Sequence, residues 1–441
     1  MTHLTDLSIV LRSLTSRLFS TTITVATVAV AVALMLVLLT MREAGRRAFD
    51  RGSGDMHLYV SADSSPLVSV LNGIFYANPP ARAIPYARYQ SLRATLPVDA
   101  PEGSGLEPGY AIPTQIGDSY RGLPVVATKP EFFARFKPDE RAGLTFAQGR
   151  AFAKEFELVV GARAARLTGL KLGDKIALTH GAPKPGEQAH VHEQYLYEVV
   201  GILAPTGTPH DRALFSDLNS TWIIHAHDRR ERSASHEHAG DEAALTVADL
   251  TDADRLITGI MLRLATRPGA AAPSSLPQVF SRLRTDATLT VASPSDQIRR
   301  LFEIVGAIDQ LFIAMAAVVM LSSGIAIMLA LYNSMELRRR QVAVLRVLGA
   351  SRGRIFGLVL TESALLGLMG AAAGIAIAFL GARVAADVLR RSVGLVIDPT
   401  LDPRASVVIA AAAVLLAALA GIVPAVMAYR TSVAKNLRPI G

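Results

Sequence analysis

The stretch Leu311-Phe-Ile-Ala-Met-Ala-Ala-Val-Val-Met-Leu-Ser-Ser-Gly-Ile-Ala-Ile-Met-Leu-Ala-Leu-Tyr-Asn-Ser-Met335 holds no charged residue, and Glu336-Leu-Arg-Arg-Arg340 follows it directly. At about 1.5 Å of rise per residue, a helix of this length crosses the roughly 30 Å hydrocarbon core of a bilayer. Arginine and lysine are retained on the cytoplasmic side, so the cluster that follows also orients the span. The segment reads as a membrane helix with a basic cytoplasmic end.

Three more windows share this character. Leu18–Met41 is uncharged, Ile355–Ala382 is apolar apart from Glu362, and Ala405–Tyr429 is interrupted only by Pro424. The first exceeds the roughly 7–15 apolar residues of a signal-peptide core and lacks a small-x-small site before Arg42, which predicts an uncleaved anchor. Four spans place both termini on one side. Residues 1–17 (an amphipathic N-terminal segment), 336–354 and 430–441 carry eleven basic residues against Asp6 and Glu336. Both termini are therefore expected in the cytoplasm. Residues 42–310 then form one large extracytoplasmic domain between spans 18–41 and 311–335, and 383–404 form a short loop between spans 355–382 and 405–429.

Composition agrees. The 441 residues are 51% hydrophobic but only 6% aromatic and 19% charged, with a mean hydropathy of +0.34, the reverse of a disordered chain. The absence of cysteine excludes disulfides, thiolate catalysis and cysteine-held metals. The formal charge of +8 resides in the cytoplasmic segments, because residues 42–310 hold 30 basic and 31 acidic residues. A nucleic-acid binder would concentrate basic charge on its folded domain, so that class is dropped. No Gly-x-x-x-x-Gly-Lys-Ser/Thr occurs, so the chain cannot cradle nucleotide phosphates in a P-loop. Neither Gly-x-Ser-x-Gly nor His-Glu-x-x-His is present, and no enzyme is expected.

Within 42–310, strand-like runs at 56–60, 158–161, 175–179, 195–203 and 259–265 alternate with helical periodicity at 162–170, 275–284 and 295–310. The fold class expected is a four-span α-helical membrane protein with a large α+β domain between the first two spans. Eight of the ten histidines fall between His180 and His238, including the pairs His190/His192, His225/His227 and His236/His238. Imidazoles with interleaved carboxylates suit Zn²⁺ in a cysteine-free site. The alternative is a solvated polar loop, and 225–241 reads as one.

Other features keep two readings. The segment with Arg338, Arg339, Arg340, Val342, Leu345, Arg346, Gly349 and Ser351 reads as a short amphipathic helix that contacts either a cytoplasmic partner or anionic lipid. Glu362 is a functional carboxylate, a snorkelling one, or a structural bond to that segment. Gly370 and Gly374 form a Gly-x-x-x-Gly motif suited to close helix packing, within one chain or across a dimer.

The order of one span, a large outer domain and three spans resembles the FtsX-like permeases, including the MacB and lipoprotein-releasing transporters. Glu336-Leu-Arg-Arg-Arg-Gln-Val-Ala-Val-Leu-Arg346-Val-Leu-Gly349-Ala-Ser351 is similar to the family's basic cluster followed by "EIAxLRALGAS", with Gln341 where a glutamate is usual. Thr361-Glu362 through Gly367 and Gly370 resembles the start of its third span, and Pro424-Ala425 through Tyr429-Arg430 its ending. Val159-Val160-Gly161, Gly173-Asp174-Lys175-Ile176 and Val199-Val200-Gly201-Ile202 are similar to the run of MacB-type periplasmic domains. Ser64-Ser65-Pro66-Leu67 through Asn72, and Ile84-Pro85-Tyr86, look like the lipoprotein-releasing branch. The resemblance implies the permease subunit of an ABC transporter in a bacterial inner membrane. It further implies a partner ATPase dimer that carries ATP and Mg²⁺, a second permease copy or homologue, membrane lipid around the spans, and a periplasmic protein partner. The basic segment would be the ATPase contact, and the substrate a lipoprotein, an efflux compound or zinc. A signalling transmitter that activates a periplasmic partner, and a zinc-binding component of metal uptake, are the other functions it leaves open.

Overall fold

The computed structural model describes residues 6–138, 143–181, 191–233, 245–270, 272–392 and 399–430. Its helices are α1 (Asp6–Thr15), α2 (Leu18–Ser53), α3 (Pro66–Gly73), α4 (Tyr86–Thr95), α5 (Glu131–Arg135), α6 (Ala162–Thr168), α7 (Leu218–Ser233), α8 (Leu276–Arg284), α9 (Pro294–Val347), α10 (Arg352–Ser392), α11 (Pro403–Ala420) and α12 (Ile422–Arg430). Its strands are β1 (Leu58–Ser61), β2 (Ile84–Pro85), β3 (Tyr110–Tyr120), β4 (Leu123–Thr128), β5 (Phe146–Gly149), β6 (Glu157–Val160), β7 (Lys175–His180), β8 (Val191–Leu203), β9 (Leu214–Asp217), β10 (Leu256–Ile257), β11 (Gly259–Arg263) and β12 (Thr290–Ala292). The chain divides into two units, a helical one within residues 1–45, 304–392 and 397–441, and an α+β one within residues 46–303.

Among the described residues, four helices are long and apolar enough to cross a membrane: Leu18–Ser53, Gln310–Met335, Arg352–Val388 and Pro403–Arg430. Phe19, Val30, Leu321, Val407 and Leu415 stand exposed along them, a density of apolar surface that lipid accommodates and water does not. The helices meet through small residues. A Cβ on Gly370 would lie 2.5 Å from Val28 Cβ, and one on Gly374 would lie 2.7 Å from Val32 Cβ, so the Gly-x-x-x-Gly face lies against α2 of the same chain. Gly367 takes the same role against Ala417 of α11, at 2.6 Å. The last span is broken at Gly421, where the Pro424 ring excludes the Ala420 carbonyl from its helical bond.

Two expected boundaries shift. The apolar window 18–41 is part of a helix that continues to Ser53, and α9 is one helix from Pro294 to Val347. The basic segment is consequently the end of α9, not a separate short helix. Helix formers such as Glu336, Leu337 and Arg338–Arg340 follow the span with no glycine or proline to stop it.

The α+β unit is built on a ten-stranded mixed sheet ordered β12-β1-β11-β3-β4-β9-β6-β8-β5, with β7 paired to β3 and β8. Both faces are covered. Leu58, Val60, Val125, Ala127, Leu158, Val160 and Leu214 face one core, and their neighbours Tyr59, Val126, Val159 and Phe215 face the other. Two-sided burial explains runs such as Leu158-Val-Val160 that show no polar alternation. Strands β3 and β4 form a hairpin whose two turn residues, Arg121 and Gly122, have φ of +50° and +77°, the left-handed pair that matches strand twist. Beyond the spans, the end of α2 is fastened within this unit. Tyr110 Oη donates to Asp55 Oδ1 at 2.6 Å, Arg263 Nη1 lies 3.4 Å from Asp55 Oδ2, and Phe49 of α2 meets Phe302 of α9 edge-on at 5.6 Å.

Candidate functional site

The end of α9 is shaped by its own sequence. The Gly349 amide donates to the Arg346 carbonyl (3.2 Å) and the Ala350 amide to the Leu345 carbonyl (3.0 Å), a Schellman closure that needs a left-handed residue. Gly349 supplies it at φ +98°. Ser351 then starts the next helix, its Oγ accepting from the Arg354 amide at 3.2 Å. Leu-Gly-Ala-Ser is therefore a stop signal joined to a start signal. The sharp turn leaves Val347 63% and Leu348 78% exposed. Val342 instead joins a buried cluster with Met335, Ile355 and Val359. The backbone of Arg338, Arg339 and Arg340 is helical, and their side chains lie outside the described residues.

Beside this turn, Ile9, Arg12, Ser13, Arg17, Leu345 and Glu362 help line a cavity of about 350 Å³. Glu362 is buried and accepts a hydrogen bond from Ser13 Oγ at 2.7 Å. The carboxylate thus holds α1 against the start of the third span, and α1 is fixed a second time by Arg354 Nη2 on Asp6 Oδ1 at 2.7 Å.

Of the loop expected at 225–241, residues 225–233 are helical, and 234–241 lie outside the described residues. Residues 218–233 form α7, in which Leu218, Trp222, Ile223 and Ala226 are buried at helical spacing. On a helix, residues two apart diverge by about 200°, so His225 and His227 do not share a target. The His227 ring lies edge-on to Tyr195 at 5.5 Å. The His225 Nε2 lies 3.1 Å from Asp118 Oδ1, and His180 Nδ1 lies 3.3 Å from the same oxygen. His190, His236 and His238 fall outside the described residues, as does the side chain of His192, whose backbone is in β8.

Three elements build this cluster. Asp118 and His180 are directly paired across β3 and β7, and His225 comes from α7. The β3–β4 register shifts between Ile116 and Asp118, so Gly117 is an extra residue. Positions 115 and 118 would face opposite sides of a regular strand. The bulge turns both toward the face that α7 covers, as their partners Ala127 and Val125 in the same core indicate. The Gln115 amide then lies 3.1 Å from His225 Nδ1. Burial raises the Asp118 carboxyl pKa, but the hydrogen bonds from His180 and His225 outweigh it and hold the group well below the usual carboxylate range. Asp118 and Gln115 lie far from the histidines in sequence, and no spacing signal points to them.

A family model described as MacB-like periplasmic core domain matches residues 21–264, over half of the chain, and one described as FtsX-like permease C-terminal matches residues 313–433. No curated protein matches the chain. The first match includes most of the first membrane helix and most of the sheet, and the second covers α10–α12 with most of the preceding span. Permeases of this type are non-enzymatic membrane components that work with an ATPase partner. A large α+β domain inserted between the first and later membrane helices, matched in both parts, shows that the chain belongs to the FtsX/MacB-type ABC permease family.

Proposed function

We propose that the protein is the permease subunit that converts ATP hydrolysis on a separate cytoplasmic ATPase into motion of its outer domain. The ATPase contact is the α9–α10 turn. The observation that carries this reading is the apolar tip, Val347 and Leu348, held out by a Schellman closure in a turn whose sequence carries Arg346, Arg352 and Arg354. Exposed branched side chains in an arginine-rich turn suit a protein groove better than a lipid surface, which the arginines alone would serve. The arginine excess on this turn supports a cytoplasmic location for it and for both termini, in the inner membrane.

Transmission to the outer domain is supported by the helical continuity of α2 and α9 and by the Asp55–Tyr110–Arg263 fastening at the end of α2. Two copies, or one with a homologous permease, would flank an ATPase dimer. A lipoprotein, an efflux compound and zinc all remain in the substrate class. The experiment is co-purification with the ATPase in detergent. Val347→Asp with Leu348→Asp, and separately Arg340→Glu with Arg346→Glu, should abolish association while the permease stays folded. Undiminished association in both would remove the turn from the interface.

A further inference from the structure

We propose that Asp118, His180 and His225 form a binding site for a divalent transition-metal ion of the zinc kind, with Gln115 as the residue that orients His225. One carboxylate and two imidazoles make a borderline donor set. It suits zinc and its neighbours, and does not suit calcium or magnesium, which take oxygen. Three protein ligands leave a position for water or for a further ligand.

The spacing fits. One ligand atom from each residue lies within 4.8 Å of the others. Ligands about 2.0–2.1 Å from a tetrahedral ion are separated by about 3.3 Å, and the two Asp118–histidine distances are 3.1 and 3.3 Å. The scaffold is firm: a directly opposed cross-strand pair and a helix whose inner face is packed into the core. The site is also reachable, because the Asp118 side chain is only 2% exposed whereas that of His180 is 45% exposed.

Gln115 supplies an independent observation. Its Oε1 is buried with no hydrogen-bond partner among the described residues, while its Nε2 faces His225 Nδ1. Amide oxygen and nitrogen are interchangeable at such a position, and rotating the amide breaks no bond to Oε1. The rotated amide accepts from His225 Nδ1–H, the outer contact that metal-binding imidazoles usually make. With Nδ1–H so engaged, His225 can give up the Nε2 proton that it otherwise donates to Asp118 Oδ1 at 3.1 Å and present Nε2 to a cation. A metal ion bound there takes the place of that proton between Nε2 and the carboxylate.

The site does not depend on ATPase coupling, and metal binding to the full chain in detergent tests it alone. Zn²⁺ would be titrated against a chromophoric chelator, with Co²⁺ absorption reporting ligand geometry. One Zn²⁺ per chain is expected. His180→Ala and His225→Ala should abolish the tight site, His180→Cys should retain it, and Gln115→Leu should weaken it about 10- to 100-fold. His227→Ala and the pair His236→Ala, His238→Ala should leave it unchanged. The cysteine variant separates lost ligation from lost folding. No zinc uptake by the unaltered chain, or equal uptake by His180→Ala and His225→Ala, would overturn the proposal and leave a plain hydrogen-bonded cluster.

Discussion

Substituting Gly370 by alanine places a methyl group where the structure leaves no room. Its Cβ would lie 2.5 Å from Val28 Cβ, 2.6 Å from Val28 Cγ1 and 3.3 Å from the Val25 carbonyl. Ordinary contact begins at 3.4 Å, so α10 must withdraw from α2 by close to an ångström at this point. Overpacking of this kind costs about 1–3 kcal/mol. Glycine-to-alanine replacement inside a helix also gains about 1 kcal/mol, which blurs a single measurement. Gly357 lies on the same helix with nothing within 4 Å of its would-be Cβ. Gly357→Ala therefore reports the propensity gain alone, and the difference between the two variants isolates the strain. Denaturant or thermal unfolding in detergent should show Gly357→Ala equal to or more stable than the parent, with Gly370→Ala about 1–3 kcal/mol below Gly357→Ala. Equal stabilities would refute close α2–α10 packing. A loss confined to dimer dissociation, with the monomer unaffected, would place the Gly-x-x-x-Gly contact between chains.

Two other perturbations have a worked sign. His210 is fully buried beside Tyr76 Oη (2.6 Å), and burial lowers its pKa from 6.5 to about 3. The unfolded chain therefore binds a proton between pH 6.5 and 3 that the folded chain refuses, so stability is intact above pH 6.5 and falls as pH drops. At pH 5 the loss is about 2 kcal/mol, and His210→Gln should flatten that part of the unfolding profile; an unchanged slope would show that another group carries it. Gly349→Ala meets no neighbour within 4 Å but must adopt φ +98°, at a cost of about 1–2 kcal/mol. It should weaken ATPase association through the turn's geometry while leaving the outer-domain metal titration untouched.

The sequence by itself determined the four spans and the family, because apolar length and the motifs that carry the resemblance are local properties. It also determined several strands, such as β6 and β11, whose branched residues run without interruption. The hairpin β3–β4 escaped notice because Pro113 and Gly117 interrupt its pattern and Arg121-Gly122 is a muted turn signal. Histidine clustering was legible, and His180 and His225 lay within it. Their convergence on Asp118 was not legible, since it depends on a bulge at Gly117, on the β3–β7 register and on α7 lying over that face. Likewise a Gly-x-x-x-Gly motif announces close packing, and only the tertiary structure names Val28 and Val32 as its partners. Periodicity reports which side of an element is apolar; which distant side chains then meet is decided by register and packing, which no single segment contains.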